Sequence, residues 1–112
     1  MRGSSKTYHV YLAKEAEEDL THLYSYIAET DSPKKAEIIL DRLETLCASL
    51  ARFPLRGRVS PELARIHVHN YREIVLTPYR IVYQIVHRDV YIHAVLDSRR
   101  NMQDLLERRL LS

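Results

Sequence analysis

Over residues 6–12 the chain alternates Tyr8, Val10 and Leu12 with Thr7, His9 and Tyr11, a period of two that predicts a strand. At Ala13 the period changes to that of a helix. Ala16, Leu20, Leu23, Tyr24 and Ile27 fall on one stripe, and Glu15, Glu17, Glu18 and Asp19 crowd its first turns, where carboxylates complement the helix dipole. The stripe ends near Thr30. Asp31-Ser32-Pro33 then supplies a capping side chain and a proline suited to the first helical position. A second stripe follows, Ala36, Ile39, Leu40, Leu43, Leu46, Cys47, Leu50 and Phe53, and runs to Pro54. So short a turn predicts an antiparallel helical hairpin.

Residues 54–61 read as a loop. Beyond it residues 65–69, 71–77, 79–87 and 90–96 read as strands, broken at Asn70, Thr77-Pro78 and Arg88-Asp89, which are connections short enough for antiparallel neighbours. Asn101 caps a short terminal helix, with Asp104 in its first turn and Met102, Leu105, Leu106 and Leu110 on its apolar side. The expected fold class is α+β. An N-terminal strand and an antiparallel two-helix hairpin pack on a three- to four-stranded antiparallel sheet, a short C-terminal helix follows, and the helices are segregated to one side.

Composition narrows this picture. The 112 residues fit one domain, expected over residues 6–112, with Met1-Arg2-Gly3-Ser4-Ser5 read as a loose tail or leader. No apolar run approaches the roughly 20 residues of a membrane-spanning helix, and the start has no secretory apolar core. A single cysteine, Cys47, fits a reducing cytoplasm. Charge is unevenly spread. Residues 1–51 hold six Lys/Arg against nine Asp/Glu, whereas residues 52–112 hold eleven against six, and all eleven are arginine. Such a half reads either as a solvated surface or as a face for an acidic peptide or nucleic acid.

Most catalytic constellations are missing from the pattern. No serine sits in a nucleophile-elbow sequence, Cys47 lies on an apolar stripe, and the 54–61 loop has one glycine with no Lys-Ser/Thr after it. His67 and His69 would share a strand face, with His93 as a third imidazole, but no carboxylate or cysteine at ligand spacing completes a metal site, so none is expected. Glu73 beside Arg72 reads as half of a cross-strand ion pair. Arg56, Arg58, Arg72, Arg80, Arg99 and Arg100 are the candidate functional residues: gathered over a curved sheet, they would grip a phosphate or an acidic peptide. Arg80 reads equally well as a structural arginine paired with a nearby carboxylate.

An ordered series of motifs runs through the second half: Phe53-Pro54, Gly57-Arg58-Val59-Ser60-Pro61-Glu62-Leu63, Tyr71-Arg72-Glu73-Ile74, Tyr79-Arg80-Ile81-Val82-Tyr83-Gln84-Ile85, and residues 90–100 from Val90 to Arg100. This series resembles the RelE/ParE superfamily of type II toxin–antitoxin toxins, closest to its ParE branch, over roughly residues 6–106. The resemblance implies a cytoplasmic bacterial toxin that inhibits growth, is associated with plasmid stabilisation, and is neutralised by a cognate antitoxin whose C-terminal tail wraps it. ParE-type toxins poison DNA gyrase without known chemistry of their own. RelE-type toxins instead cut mRNA on the ribosome. On that alternative Arg72, Arg80 and Arg100 fall where the nucleases carry basic catalytic residues, and His93 is the candidate base. The chain departs from the nuclease pattern. Val75 and Leu76 stand where a further basic residue is expected after Arg72, and Leu105 and Leu106 occupy the region of the terminal catalytic tyrosine. Arginine is a poor base because it stays protonated. Asp97 stands where ParE-like sequences often have histidine. The expectation is therefore a gyrase-binding toxin, with no cofactor, no metal and no membrane partner.

Overall fold

The computed structural model describes residues 7–112, so the expected leader at residues 1–5 and the strand position Lys6 lie outside the described residues. In chain order the elements are β1 (His9–Leu12), α1 (Lys14–Thr30), α2 (Pro33–Ser49), β2 (Arg58–Val59), α3 (Pro61–Ala64), β3 (Arg72–Leu76), β4 (Tyr79–Val86), β5 (Asp89–Asp97) and α4 (Met102–Leu110). The α1–α2 hairpin forms as the stripes predict. Its turn is set by Ser32, whose Oγ accepts from Lys35 N at 3.1 Å, with Pro33 at the first helical position. Ser32→Ala is expected to lower stability by about 1 kcal/mol, read as a shift of the thermal midpoint followed by circular dichroism.

The strands form one five-stranded sheet in the order β1-β5-β4-β3-β2. β1 runs parallel to β5, with His9 opposite Asp89, while the remaining neighbours are antiparallel. The sheet is thus mixed, and it is wider than the three or four antiparallel strands expected. The additions are the parallel edge β1 and the two-residue β2, formed inside the expected loop where Arg58 lies opposite Glu73.

Strand alternation sends side chains to two faces. Tyr79, Ile81, Tyr83, Ile74, Val90 and Ile92 pack with Ala16, Leu20, Ile27, Leu43, Cys47 and Leu50 of the hairpin. Val82, Ala94 and Leu96 point the other way and pack with Leu63, Met102, Leu105 and Leu106. The helices therefore cover both faces, which corrects the one-sided arrangement expected. A bulge makes β5 serve both cores. Val82 pairs with Ala94 but Tyr83 pairs with Ile92, so His93 is the extra residue, and beyond it Val95 returns to the hairpin side.

Two local expectations fail for physical reasons. Residues 65–69 are not a strand: Pro61 starts α3, His67 adopts a left-handed φ of 64°, and Val68 N bonds back to Leu63 O, which closes that short helix. His67 and His69 consequently share no strand face. The second stripe also stops early. α2 ends at Ser49, Leu50 just past it is the last residue of the stripe to reach the core, and Phe53 stands 60% exposed. Cys47 is buried, as its position predicts, and burial, with the charge of Glu44 adding, pushes its thiol up to about 11. Among the described residues no helix is long and apolar enough to cross a membrane.

Candidate functional site

The six candidate arginines fall into three separate settings. The first is a carboxylate network on the α4 side of the sheet. Glu73, paired across the ladder with Arg58 and with Val82, has a fully buried side chain. Its Oε2 accepts from Arg58 Nη2 at 2.7 Å and Nε at 2.8 Å, and its Oε1 accepts from Arg80 Nη1 at 3.3 Å. The same Arg80 nitrogen donates to Glu62 Oε1 at 2.7 Å. Glu73 is thus the half of a cross-strand ion pair that the sequence predicted, its partner being Arg58. Arg80 is only 14% exposed, so the structural reading holds for it: its guanidinium is spent on two buried carboxylates. Burial pushes the Glu62 carboxyl up, but the Arg80 hydrogen bond and charge outweigh it and leave the group below its ordinary 4.5.

A pH dependence follows from that lowered value. The contribution of Glu62 is present above the unfolded value and lost as pH falls through the folded one. Glu62→Gln is expected to be less stable than the parent at pH 7 and to lose less stability on acidification to pH 3, measured by urea unfolding at each pH.

The second setting lies on the opposite face. Arg72 is opposite Tyr83 in the ladder, one residue out of phase with Glu73, and its Nη1 donates to Gly57 O at 2.8 Å. Tyr83 is buried, and its hydroxyl accepts from Gly57 N at 3.0 Å and donates to Pro54 O at 2.7 Å. Arg56 donates to Ser49 Oγ at 2.8 Å. Together these bonds brace the 54–57 turn.

The third setting follows β5. Arg99 makes a two-pronged pair with Asp97, at 2.6 Å for Nη2–Oδ2 and 2.9 Å for Nε–Oδ1, and its hydrogen bond holds the Asp97 carboxyl below the usual range. Arg100 is exposed and, among the described residues, has no ion-pair partner; it borders a cavity of about 350 Å³ with His22, Tyr26 and Tyr79.

The structure therefore does not assemble the cluster drawn from the sequence. Arg72 and Arg80 point to opposite faces of the sheet. His93 sits on the bulge, half-buried, with Nε2 3.1 Å from Gln84 Oε1 and its ring edge-on to Tyr71 at 5.6 Å. Gln84 shares the Arg80 face of β4, so His93 and Arg72 are on opposite sides. Burial lowers the His93 pKa, which leaves the ring neutral near pH 7. Among the described residues no group of three His, Cys, Asp or Glu side chains could hold a metal.

One tie escaped the sequence. Asp19, read there only as helix-favouring charge, accepts from Arg109 at 3.0 and 3.1 Å and from Val95 N at 2.9 Å, and Arg109 also donates to His93 O. This pair fastens α4 to α1 and to β5 beyond the point where β1 ends. Its members lie 90 residues apart, so no local pattern announces it.

Fold and site together define a small α+β protein with a helical hairpin on one face of a mixed sheet, whose arginines are distributed among ion pairs and exposed loops. The profile described as "ParE toxin of type II toxin-antitoxin system, parDE" matches residues 10–102. Toxin ParE3 of Caulobacter vibrioides is 29% identical over 84 residues, spanning 75% of this chain and 80% of that protein. Among solved structures, the chromosomal ParDE system from P. aeruginosa superposes with a TM-score of 0.69 at 17% identity, over 83% of this chain and 98% of that one. The RelBE2 toxin–antitoxin complex from Mycobacterium tuberculosis gives 0.57 at 24% identity, over 81% and 91%. These two likenesses show the fold. The chain belongs to the ParE toxin family of type II toxin–antitoxin systems.

Proposed function

We propose that this toxin acts by binding DNA gyrase in the bacterial cytoplasm, carries out no chemistry of its own, and is neutralised by a cognate antitoxin whose tail wraps it. The separation of Arg72 from Arg80 across the sheet carries this reading. Cleaving RNA requires a base for the 2′-hydroxyl and cations around one phosphate. Here Arg80 is committed to Glu62 and Glu73, and the His93 ring lies on the far side from Arg72. The exposed Arg56, Arg58, Arg99 and Arg100, together with the half-buried Arg72, then serve as contacts to target or antitoxin, while Arg80 supports the fold that presents them.

The test in cells is plasmid topology after induction. Loss of negative supercoiling, with no new codon-phased mRNA 5′ ends, is the expected result; phased ends with unchanged topology would move the protein to the ribosome-dependent nucleases. The paired change Arg99→Ala/Arg100→Ala is expected to weaken growth arrest at least tenfold in inducer dose while its thermal midpoint stays within about 2 °C of the parent, since both side chains are exposed. A sharp fall in the midpoint would count against that division of roles.

A further inference from the structure

The two most exposed large apolar side chains among the described residues are neighbours in one turn: Phe53, 60% exposed, and Leu55, 66% exposed. Solvent-facing apolar residues on a slack loop carry little meaning, but this turn is not slack. Pro54 between them is buried, and its carbonyl oxygen accepts from the buried Tyr83 hydroxyl, which in turn accepts from Gly57 N. Arg72 holds Gly57 O, Arg56 N bonds Phe53 O at 3.2 Å, and the Arg56 guanidinium is tied to Ser49. No room is left at Gly57 for a side chain, because an added Cβ would lie 2.5 Å from the Tyr83 hydroxyl. A turn braced from below that lifts Phe53 and Leu55 into water is preorganised to bind, with its ordering entropy already lost on folding.

The charge around the pair selects the partner. Arg52 stacks over the Phe53 ring at 6.0 Å, Arg56 follows Leu55 directly, and the Arg58 side chain is 58% exposed beyond its pair with Glu73. Residues 45–61 contain no aspartate or glutamate. We propose that the Phe53–Leu55 turn is a docking knob for a partner polypeptide segment in which carboxylates flank leucine or phenylalanine. Apolar side chains of that segment cover Phe53 and Leu55, and its carboxylates meet Arg52, Arg56 and Arg58 as charge-assisted pairs. The inference names the chemistry of a partner at Arg56 and Arg58 and does not depend on gyrase being the target.

The experiment pans a phage-displayed library of random 12-residue peptides on the full-length protein, then measures the synthesised winners by fluorescence anisotropy. Enrichment of Asp/Glu with Leu/Phe is expected. So is a loss of affinity of at least tenfold in Phe53→Ser/Leu55→Ser and again in Arg52→Glu/Arg56→Glu, with several-fold weakening between 50 and 500 mM NaCl. The replaced side chains are largely outside the core, so circular dichroism and thermal melting of each variant confirm an intact fold. Peptides with no acidic-apolar consensus, or affinities unchanged in both variants, overturn the proposal. So does binding to phosphatidylserine vesicles, or dimerisation of the protein in analytical ultracentrifugation, that alone is lost in the Phe53→Ser/Leu55→Ser variant, since either would assign the knob to a membrane or to a second copy.

Discussion

Arg80→Ala is expected to lose about 3–5 kcal/mol of unfolding free energy, the range for removing one partner of a buried ion pair. Glu73 has no exposed side-chain surface and Glu62 little, so deleting the guanidinium leaves two carboxylates facing each other, with Arg58 still paired to Glu73 but only the unbonded charge of Arg65 acting on Glu62. Rotating them to water would require opening the packing of α3 and α4 against the sheet. Urea unfolding gives the free energy directly, and thermal melting should show a midpoint lowered by more than 10 °C. Any toxin activity lost by this variant would then follow from the fold. A variant that lost activity while keeping its midpoint would place Arg80 in a contact with the target instead.

Gly57→Ala comes next in size, at about 2–3 kcal/mol, by overpacking. The new Cβ would stand 2.5 Å from Tyr83 Oη, 2.6 Å from Glu73 O and 2.9 Å from Tyr83 Cε1. None of these atoms is free to move: the tyrosine is fully buried and its hydroxyl both accepts and donates a hydrogen bond, and the carbonyl belongs to Glu73, which β3 holds in the ladder between Arg58 and Val82. The requirement is one of space. Combining the change with Tyr83→Phe removes the nearest clashing atom, so the double variant should lose less than the two single losses added, by more than about 0.5 kcal/mol. Strict additivity in that cycle would contradict the account of the braced turn.

Helices and central strands were legible because their signals are local. The Ser32-Pro33 and Asn101 caps, the two hairpin stripes and the β3–β4–β5 runs stand in the sequence as periodicities and as residues of fixed stereochemical use. What failed depends on distant partners. Residues 65–69 alternate like a strand, yet closing α3 pulls His67 into a left-handed conformation, and local alternation cannot report that competition. Phe53 continues the helical stripe by spacing, but Tyr83, thirty residues on, holds the chain in a turn from Pro54 onward. The arginine cluster failed for a reason visible only in register. Arg72 and Arg80 are an even number of residues apart, but they occupy two strands whose ladder sets Arg72 against Tyr83, and that single pairing sends them to opposite faces. The ion pair read for Glu73 and the structural reading of Arg80 turned out to be parts of one network.

The measurement closest to the central claim is a supercoiling titration with purified gyrase, relaxed plasmid and this toxin, run with and without the cognate antitoxin. Binding without chemistry predicts inhibition that rises with toxin concentration, traps cleaved DNA on gyrase, and is relieved stoichiometrically by the antitoxin. Full supercoiling activity across a wide concentration range, with toxin that still arrests growth in cells, would contradict it and point to RNA as the target.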